Sequence, residues 1–255
     1  PGPGGHGTAA AARATGNGPT RAGDALFHVA ATVVRAVYSL ALRKSWSGEE
    51  HLRRDGGYIV VANHVTEVDP LTVAYPVYRS GTIPRFLAKE SLFRVPVLGA
   101  LLRATAQIPV YRGSMDANRS LKAARAVVDA GGAVIIYPEG TLTRDPDLWP
   151  MAGRTGAARL ALATGAPVIP VAHWGDQELL PPHASRPRLL PRKSVRTLIG
   201  APLELSDLVG EDRTQHVDRA VLTEIQRHKK IKPMLGSNLD EDTVVVHPSE
   251  RGRLK

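Results

Sequence analysis

Cysteine is absent from the 255 residues of this chain. Without it the protein has no disulfide, no thiolate nucleophile and no metal site built from thiolates. No internal repeat recurs at a fixed period, which argues against a solenoid or a tandem array. A chain of this length is expected to form one domain with a full hydrophobic core.

Aromatic residues are also scarce, at 5% of the sequence, and they do not alternate with basic residues as in proteins that stack on nucleobases. The formal net charge is nevertheless +9, which indicates a partner that carries phosphate. Such a partner is a nucleic acid, an anionic bilayer or a phosphorylated small molecule. The shortage of aromatic residues disfavours a nucleic acid and leaves the other two.

Long uninterrupted apolar runs are missing as well. Residues 1–23 contain almost no large apolar side chains, so we expect a flexible tail there and no secretory signal. Residues 24–44 are apolar around most of a helix, but their runs are shorter than the ~20 apolar residues that span a bilayer. We predict an apolar, amphipathic helix on a membrane surface, with Arg35, Arg43 and Lys44 directed to lipid phosphates. Packing of this helix on the domain is the alternative.

Short apolar runs alternate with helical patterns from residue 58 onward, which predicts a layered α/β domain. The expected strands are 58–62, 86–88, 107–110, 133–137, 168–172 and 195–200. The expected helices are 70–79, 92–104, 116–130, 154–164 and a polar one at 212–230. The predicted fold class is α/β, with a single three-layer domain over residues 45–232, a central mixed β-sheet flanked by helices, and a C-terminal tail over 233–255.

The first chemical motif lies just beyond the first predicted strand. His64 follows the apolar run and Asp69 comes five residues later, where a helix should begin with Pro70. On one regular helix the two side chains would diverge by about 140°, so they meet only if His64 lies in the turn before the helix. Thr66 and Asp69 have the spacing of a capping box, and Asp69 could itself be the cap, which predicts such a turn. A carboxylate at one imidazole nitrogen would fix the tautomer and leave the other nitrogen free as a base.

The same spacing also arises by chance, and Asp69 could serve only to cap the helix. His173 and Glu178 form a near-match of the same spacing elsewhere in the chain. His64 and Asp69 are therefore a candidate catalytic pair whose assignment depends on further motifs.

A second motif follows the β-branched residues at 133–137. Glu139, Gly140 and Thr141 suit a tight exposed turn whose backbone N–H groups could bind an anion, and Arg144 could reach the same anion. Glu139 could instead hold a hydroxyl or organise the turn. An ordinary surface loop is the alternative for the whole segment.

Two further basic features could contact phosphate. Arg112 follows the predicted strand 107–110, where a rigid position suits bidentate phosphate binding, although a solubilising surface charge is the commoner role. The run 186–196 mixes five cations with leucines, which is typical of a segment on an anionic bilayer or of a solvated loop.

Four blocks taken together resemble the 1-acylglycerol-3-phosphate acyltransferases, a family of glycerolipid acyltransferases. The blocks are NHVTEVD at 63–69, QIPVYR at 107–112, YPEGT at 137–141 and VIPVA at 168–172. The resemblance implies that His64 is the general base and that Asp69 orients it. The residues implied to hold the glycerol phosphate of the acceptor are Arg112, Glu139, Gly140 and Thr141.

The sequence departs from the family at Leu142, where the family usually has arginine. Arg144 or Arg154 is expected to supply the missing charge. The resemblance further implies acyl transfer from acyl-CoA or acyl carrier protein to 1-acylglycerol 3-phosphate, without a metal or cofactor. It places the enzyme as a peripheral or monotopic protein at the cytoplasmic face of an anionic membrane.

Other functions remain open at this point. The acceptor could be glycerol 3-phosphate, another lysophospholipid or a glycolipid. A thioester hydrolase would use water in place of the alcohol, and a lipid-binding or basic interaction protein would not be catalytic. Release of thiol from acyl-CoA with and without lysophosphatidate distinguishes these classes.

Overall fold

The computed structural model describes residues 21–111 and 117–203. Its strands are β1 (Leu42–Ser47), β2 (Tyr58–Ala62), β3 (Pro84–Lys89), β4 (Ile108–Val110), β5 (Ala133–Ile136), β6 (Val168–Trp174) and β7 (Lys193–Ile199). Its α-helices are α1 (Arg21–Ala41), α2 (Asp69–Arg79), α3 (Leu98–Ala104), α4 (Ala117–Asp129), α5 (Gly156–Thr164) and α6 (Asp176–Leu179). Short 3-10 helices cover Glu49–Leu52 and Glu90–Arg94. The predicted helix 212–230 and the predicted tail 233–255 lie outside the described residues. So do residues 1–20 of the predicted flexible tail 1–23, whose last three residues instead belong to α1.

The described strands form one seven-stranded sheet in the order β1-β7-β6-β2-β5-β3-β4. β6 and β7 pair antiparallel, whereas the other neighbouring strands pair parallel. The prediction of a mixed sheet is therefore confirmed. β2 lies between β5 and β6, and all of its residues are buried, as is typical of a strand covered on both faces.

The two faces of β2 pack against different helices because successive side chains point to opposite sides of a strand. Ile59 and Val61 belong to a core with α4 and α5. Tyr58 and Val60 belong to a second core with α2. The sheet is thus covered on both sides, which confirms the predicted three layers.

The N-terminal helix ends earlier than predicted. α1 stops at Ala41, and residues 42–44 of the predicted helix belong to β1, which pairs along β7. β1 lies at the edge of the sheet, and after the buried Leu42 its residues are exposed or half-buried. An edge strand with so few buried side chains gives little apolar signal in the sequence.

α1 packs on the domain along part of its length. The ring centroids of Phe27 and Tyr78 are 5.8 Å apart, and Nδ1 of His28 lies 2.7 Å from the Tyr78 hydroxyl. Val29 and Leu40 are exposed on the same helix, at 63% and 76%. Among the described helices, none combines the length and the hydropathy needed to cross a bilayer. The described contacts join α1 to the domain, Val29 and Leu40 remain exposed, and contact of α1 with a membrane stays a prediction.

Two cations that the sequence assigned to a membrane surface make intramolecular contacts. Nζ of Lys44 donates to Oγ of Ser39 at 2.8 Å and lies 4.1 Å from the centroid of the Tyr75 ring. The Arg192 guanidinium donates to the carbonyls of Ser39 and Leu42, at 2.8 and 2.9 Å, and so satisfies carbonyls at the end of α1. Other cations of these segments are exposed, namely Arg43, Arg186 and Arg188.

The predicted helix 92–104 is broken into a 3-10 turn and α3. The break follows from Pro96, because a residue before proline avoids the helical region, and Val95 is extended with φ −69° and ψ 125°. The two pieces approach closely at Gly99, where a Cβ atom would lie 2.1 Å from the carbonyl oxygen of Phe93. Only glycine fits this contact, which fixes the position of the apolar helix α3.

Candidate active site

The carboxyl ends of three neighbouring strands bring the polar motifs together. Asn63 and His64 directly follow β2, Tyr137 follows β5, and His173 is the penultimate residue of β6. These strands are adjacent and parallel, so their carboxyl ends meet at one edge of the sheet. The predicted site therefore lies where ligands usually bind in open α/β sheets.

His64 lies in the turn between β2 and α2, as the spacing argument requires. Its Nδ1 is 3.1 Å from Oδ2 of Asp69, the first residue of α2. The same carboxylate oxygen accepts from the backbone N–H groups of Val65 and Thr66, at 2.5 and 2.9 Å. These bonds fix the carboxylate under the imidazole, since hydrogen bonds to an ionised group are the stronger kind.

The capping box predicted for this turn forms only in part. The carboxylate of Asp69 reaches back to the Thr66 N–H, as the motif requires. The Thr66 hydroxyl, however, is buried and has no hydrogen-bond partner among the described residues, and the Asp69 N–H bonds the Thr66 carbonyl instead. Val68, rather than Thr66 or Asp69, occupies the N-cap position.

The 139–143 segment fixes the backbone of His64 from the opposite side. Oε1 of Glu139 accepts from the His64 N–H at 3.1 Å, and its Oε2 accepts from the Met151 N–H at 2.9 Å. The Thr143 N–H donates to the His64 carbonyl at 2.8 Å. Both backbone groups of His64 are thus held, and the buried Glu139 organises this turn, which was one of its two predicted roles.

The ring of His64 stacks on Tyr137, with centroids 4.2 Å apart and an interplanar angle of 19°. The His64 side chain is 19% exposed, and its Nε2 makes no hydrogen bond within the described residues. The Tyr137 hydroxyl is buried without a hydrogen-bond partner there, and burial raises its pKa well above the usual value. Asp69 on Nδ1 and Tyr137 on the ring face therefore hold an imidazole whose Nε2 is available as a base.

His64 lines a cavity of about 900 Å³. Its walls are mainly apolar and come from α1, α2, β3, α3, β4 and the segment after β5. Apolar lining residues include Phe27, Leu71, Phe86, Leu98, Leu101 and Leu142. Such a space suits an alkyl chain with its reactive end at the histidine.

The predicted anion-binding residues are distributed unevenly around this cavity. Gly140 and Thr141 line it, and Gly140 has φ +68°, the left-handed conformation that favours glycine in a turn. Arg144 and Arg154 are both exposed, but Arg154 lines the cavity and Arg144 does not. A Cβ at Gly140 would lie 3.3 Å from Nε of Arg154, so the guanidinium lies against the turn.

Two other predicted site residues have different positions. Glu139 is buried behind the turn and is not part of the cavity wall. Arg112 lies outside the described residues. Lys89, which the sequence reading did not single out, also lines the cavity, at the end of β3.

A second histidine, His173, lies behind Asp69 and was not predicted from the sequence as a site residue. His173 is buried, its Nδ1 lies 2.8 Å from Oδ2 of Asp176, and its Nε2 lies 2.7 Å from the Asn63 carbonyl oxygen. Its Nε2 is also 3.7 Å from Oδ2 of Asp69. The sequence signal for this pair was a histidine in an otherwise apolar strand with an aspartate three residues later. The near-match in the sequence instead pairs His173 with the more distant Glu178.

The charges of His173, Asp69 and Asp176 affect one another's pKa values. Burial opposes protonation of His173, but Asp69, Asp176 and the Asn63 carbonyl outweigh it and raise the pKa of His173 to about 9. Burial raises the pKa of Asp69 above its usual range, against the opposing charge of His173. Burial would also raise the pKa of Asp176, but the hydrogen bond and charge of His173 hold it below the usual value.

Asp69, His173 and Asp176 lie close enough together to be considered as cation ligands, because one ligand atom from each lies within 4.8 Å of the others. The histidine nitrogens, however, already face the Asp176 carboxylate and the Asn63 carbonyl. The geometry is that of an internal hydrogen-bond network, with an imidazole between two carboxylates.

The family model for Acyltransferase matches residues 44–174, which is just over half of the chain. That segment contains the His64–Asp69 pair, the 139–143 turn and most of the cavity wall. The chain therefore belongs to this acyltransferase family.

Individual relatives carry more specific names. A chloroplastic 1-acyl-sn-glycerol-3-phosphate acyltransferase of Brassica napus is 29% identical over 148 residues, 57% of this chain and 40% of the relative. The 1-acyl-sn-glycerol-3-phosphate acyltransferase of Borreliella burgdorferi is 33% identical over 127 residues, 49% of this chain and 48% of the relative. The chain thus spans less than half the length of these curated relatives.

Two further similarities concern a short stretch and the fold. Over 39 residues the chain is 72% identical to the DNA 3'-5' helicase XPB of Mycobacterium tuberculosis, but these cover 7% of the helicase and carry no argument about function. The crystal structure of the 1-acyl-sn-glycerophosphate (LPA) acyltransferase PlsC from Thermotoga maritima superposes with a TM-score of 0.60. The match covers 86% of each chain at 22% identity, and it confirms the α/β fold.

Proposed function

We propose that this protein transfers a fatty acyl group from an acyl thioester to the free hydroxyl of 1-acylglycerol 3-phosphate. The observation that carries the proposal is a histidine with a carboxylate on Nδ1 and an open Nε2 at the wall of a large apolar cavity. Membership in the acyltransferase family and similarity to two named 1-acylglycerol-3-phosphate acyltransferases support the substrate class.

In the proposed reaction, Nε2 of His64 accepts the proton of the acceptor hydroxyl as its oxygen attacks the thioester carbonyl. The C–O bond forms, the C–S bond breaks, and the thiolate leaves with the proton that His64 carried. Asp69 stabilises the imidazolium in between and keeps Nδ1 protonated. The turn held by Glu139 fixes the His64 backbone, so the base is positioned before substrate binds.

The acceptor phosphate is proposed to lie at the turn of Gly140 and Thr141, against Arg154. This assignment favours Arg154 over Arg144, the other candidate from the sequence, because Arg154 lines the cavity and Arg144 does not. Arg154 lies against Gly140, and Lys89 adds a second cation to the wall. Leu142 is buried in that wall, so the charge that the family usually has there is proposed to come from Arg154.

The test measures thiol release from acyl-CoA and from acyl carrier protein thioester, with and without 1-acylglycerol 3-phosphate. We expect release that depends on the acceptor and yields the diacylated product. His64→Ala should lower it by at least about 10²-fold in a protein with unchanged circular dichroism, since the general base is lost.

Other outcomes of this assay identify the alternatives. Thiol release that ignores the acceptor would indicate a thioester hydrolase. Faster transfer to glycerol 3-phosphate, another lysophospholipid or a glycolipid than to 1-acylglycerol 3-phosphate would identify that compound as the acceptor. A folded His64→Ala protein with wild-type turnover would end the proposed mechanism.

We also propose peripheral contact with an anionic membrane, at the cytoplasmic face of the cell membrane. The substrates are lipids, α1 has exposed apolar residues such as Val29 and Leu40, and the loop with Arg186 and Arg188 is exposed. Binding should be measured as co-sedimentation with vesicles containing phosphatidylglycerol, at low and high salt.

The variants compare two charged surfaces. Arg186→Glu with Arg188→Glu should weaken vesicle binding, and salt should weaken binding of the wild type, because exposed charges are screened. Lys122→Glu with Arg125→Glu reverses the same number of charges on α4, whose packing partners lie on the other face of the sheet, and serves as the control. Equal loss in both double variants would indicate attraction by net charge alone.

A further inference from the structure

The buried side of Asp69 is the least expected part of the site. One carboxylate oxygen, Oδ1, is buried and has no hydrogen-bond partner among the described residues. The other, Oδ2, accepts from the turn and from His64. An ionised carboxylate so shielded from water is costly unless an opposite charge lies nearby.

His173 is positioned to supply that charge. Its Nε2 faces a carbonyl oxygen, which can only accept, so Nε2 carries a hydrogen. Its Nδ1 faces Asp176, whose other oxygen accepts from the hydroxyls of Tyr38 and Thr72. A carboxylate with these donors is ionised, so Nδ1 carries a hydrogen as well and the ring is an imidazolium.

We propose that His173, held as an imidazolium between Asp69 and Asp176, is a positioning residue that keeps Asp69 ionised and aligned with His64. This inference rests on acyl transfer by His64 as proposed above. His173 does not line the cavity and its ring is fully buried, so it acts through Asp69 and does not touch substrate.

The backbone links the two histidines as well. The Asn63 amide donates to the His173 carbonyl at 3.1 Å and accepts from the His173 N–H at 3.0 Å. Asn63 directly precedes His64, so these bonds fix the end of β2 against the end of β6. A displacement of His173 would therefore shift Asn63 and, with it, the adjacent His64.

Two titratable groups act on His173 directly, Asp69 on α2 and Asp176 on α6. Three more act on these two carboxylates, namely Tyr38 on α1, Tyr137 after β5 and His64 in the turn after β2. Burial and the neighbouring carboxylates raise the pKa of both tyrosines, so these stay neutral. Asp69 therefore lies in the field of one buried cation, His173, and one further buried anion, Asp176.

The first test is the pH dependence of acyl transfer by His173→Gln, Asp176→Asn and Thr197→Val. Loss of the buried cation makes the His64–Asp69 pair easier to protonate, so the acid limb of kcat/KM should move to higher pH. In His173→Gln we expect a shift of about one pH unit or more and a kcat about tenfold lower at neutral pH, with the thioester KM within about twofold. Asp176→Asn should shift the limb less than His173→Gln does, because loss of the Asp176 charge lowers the pKa of Asp69 directly while it also weakens the hold of His173 on its proton.

Thr197→Val is the matched control, because Thr197 is buried on β7 as the strand partner of His173. It changes the same part of the core without changing a charge, so its pH profile should match the wild type. A rate loss in His173→Gln that is uniform across pH, with the acid limb unmoved, would mean that His173 is a packing residue only.

The second test needs no substrate and uses the full wild-type chain. Long-range ¹H–¹⁵N NMR of ¹⁵N-histidine protein should show that the His173 imidazole is doubly protonated at pH 7 and 8, with its signals assigned in the wild type through contacts of the ring with the backbone of Asn63. A singly protonated His173 at pH 7 would overturn the inference even if the variants fail to fold. Absence of acyl transfer by the wild type would instead reject the proposed function, and the NMR titration would still decide the charge of His173.

Discussion

Two histidine–aspartate pairs meet at the same edge of the sheet, and they differ in what the second ring nitrogen contacts. In both, Nδ1 faces a carboxylate, at 3.1 Å for His64 with Asp69 and 2.8 Å for His173 with Asp176. Nε2 of His64 lies at the cavity wall without a hydrogen bond in the described structure. Nε2 of His173 is bonded to the Asn63 carbonyl. An imidazole with one open nitrogen can exchange a proton with substrate, whereas one whose two nitrogens both face internal acceptors is held away from substrate.

The largest expected difference between the pairs is in turnover. Asp69→Asn should lower kcat by about 10²- to 10⁴-fold, because the neutral amide neither stabilises an imidazolium nor enforces the His64 tautomer. Asp176→Asn should lower kcat far less, since it acts on His64 only through His173. The measurement is steady-state acyl transfer at neutral pH with folding checked by circular dichroism. Equal losses in the two variants would remove the distinction between the pairs.

The second difference is in the pH dependence of stability. The pKa of His173 rises from 6.5 to about 9 on folding, so its stabilisation is complete below about pH 6.5 and is lost as pH rises toward 9. That shift corresponds to about 3 kcal/mol of unfolding free energy. Urea denaturation of the wild type at pH 6, 7.5 and 9 should detect this decline, and His173→Gln should lack it. A wild-type curve that is flat over this range would contradict a buried imidazolium.

The contrast between a cavity-facing and an outlying group extends to two arginines. Arg154→Ala should lower kcat/KM for 1-acylglycerol 3-phosphate by about 10- to 150-fold, since a charge-assisted hydrogen bond is worth about 1.5–3 kcal/mol. Arg144→Ala should leave it nearly unchanged, because Arg144 lies outside the cavity wall. Kinetics with acceptor and donor varied separately measure both effects. A larger loss of acceptor kcat/KM in Arg144→Ala than in Arg154→Ala would place the phosphate at Arg144, one of the two arginines that the sequence suggested.

The smallest expected effect concerns the ring under His64. Tyr137→Phe removes a buried hydroxyl without a described partner and keeps the stack, so activity should stay within about twofold. Tyr137→Leu loses an aromatic contact worth about 0.5–1.5 kcal/mol and should lower kcat by about two- to tenfold. The two kcat values measured side by side test whether the ring face positions the base. Equal kcat in both variants would assign Tyr137 to packing alone.

The sequence predicted the sheet well where strands are buried on both faces. The boundaries of β2 agree with the predicted 58–62, and β5 and β6 lie within two residues of their predictions. β1 was missed because its side chains alternate at an exposed edge and its partner β7 lies about 150 residues later. The helix predicted over 92–104 breaks at Pro96, a signal that was present in the sequence and was outweighed by the apolar pattern around it.

The His64–Asp69 pair illustrates what local sequence determines. The six residues between the buried strand β2 and helix α2 leave few conformations, and a turn that satisfies the N–H groups of Val65 and Thr66 brings the carboxylate to the imidazole. The buried strands and most of the helices that cover them likewise follow from periodicity along the chain. These features depend on neighbours in sequence, and composition and spacing therefore predict them.

Only the tertiary structure decided which other residues join that pair. His173 is more than 100 residues from Asp69, and Arg154 meets Gly140 across a loop, so neither contact has a local signature. The position of Glu139 behind the turn depends on Met151 and on the backbone of His64. Long-range contacts of this kind arise because β2, β5 and β6 end at the same edge of the sheet, and the order of strands in the sheet is what brings their ends together.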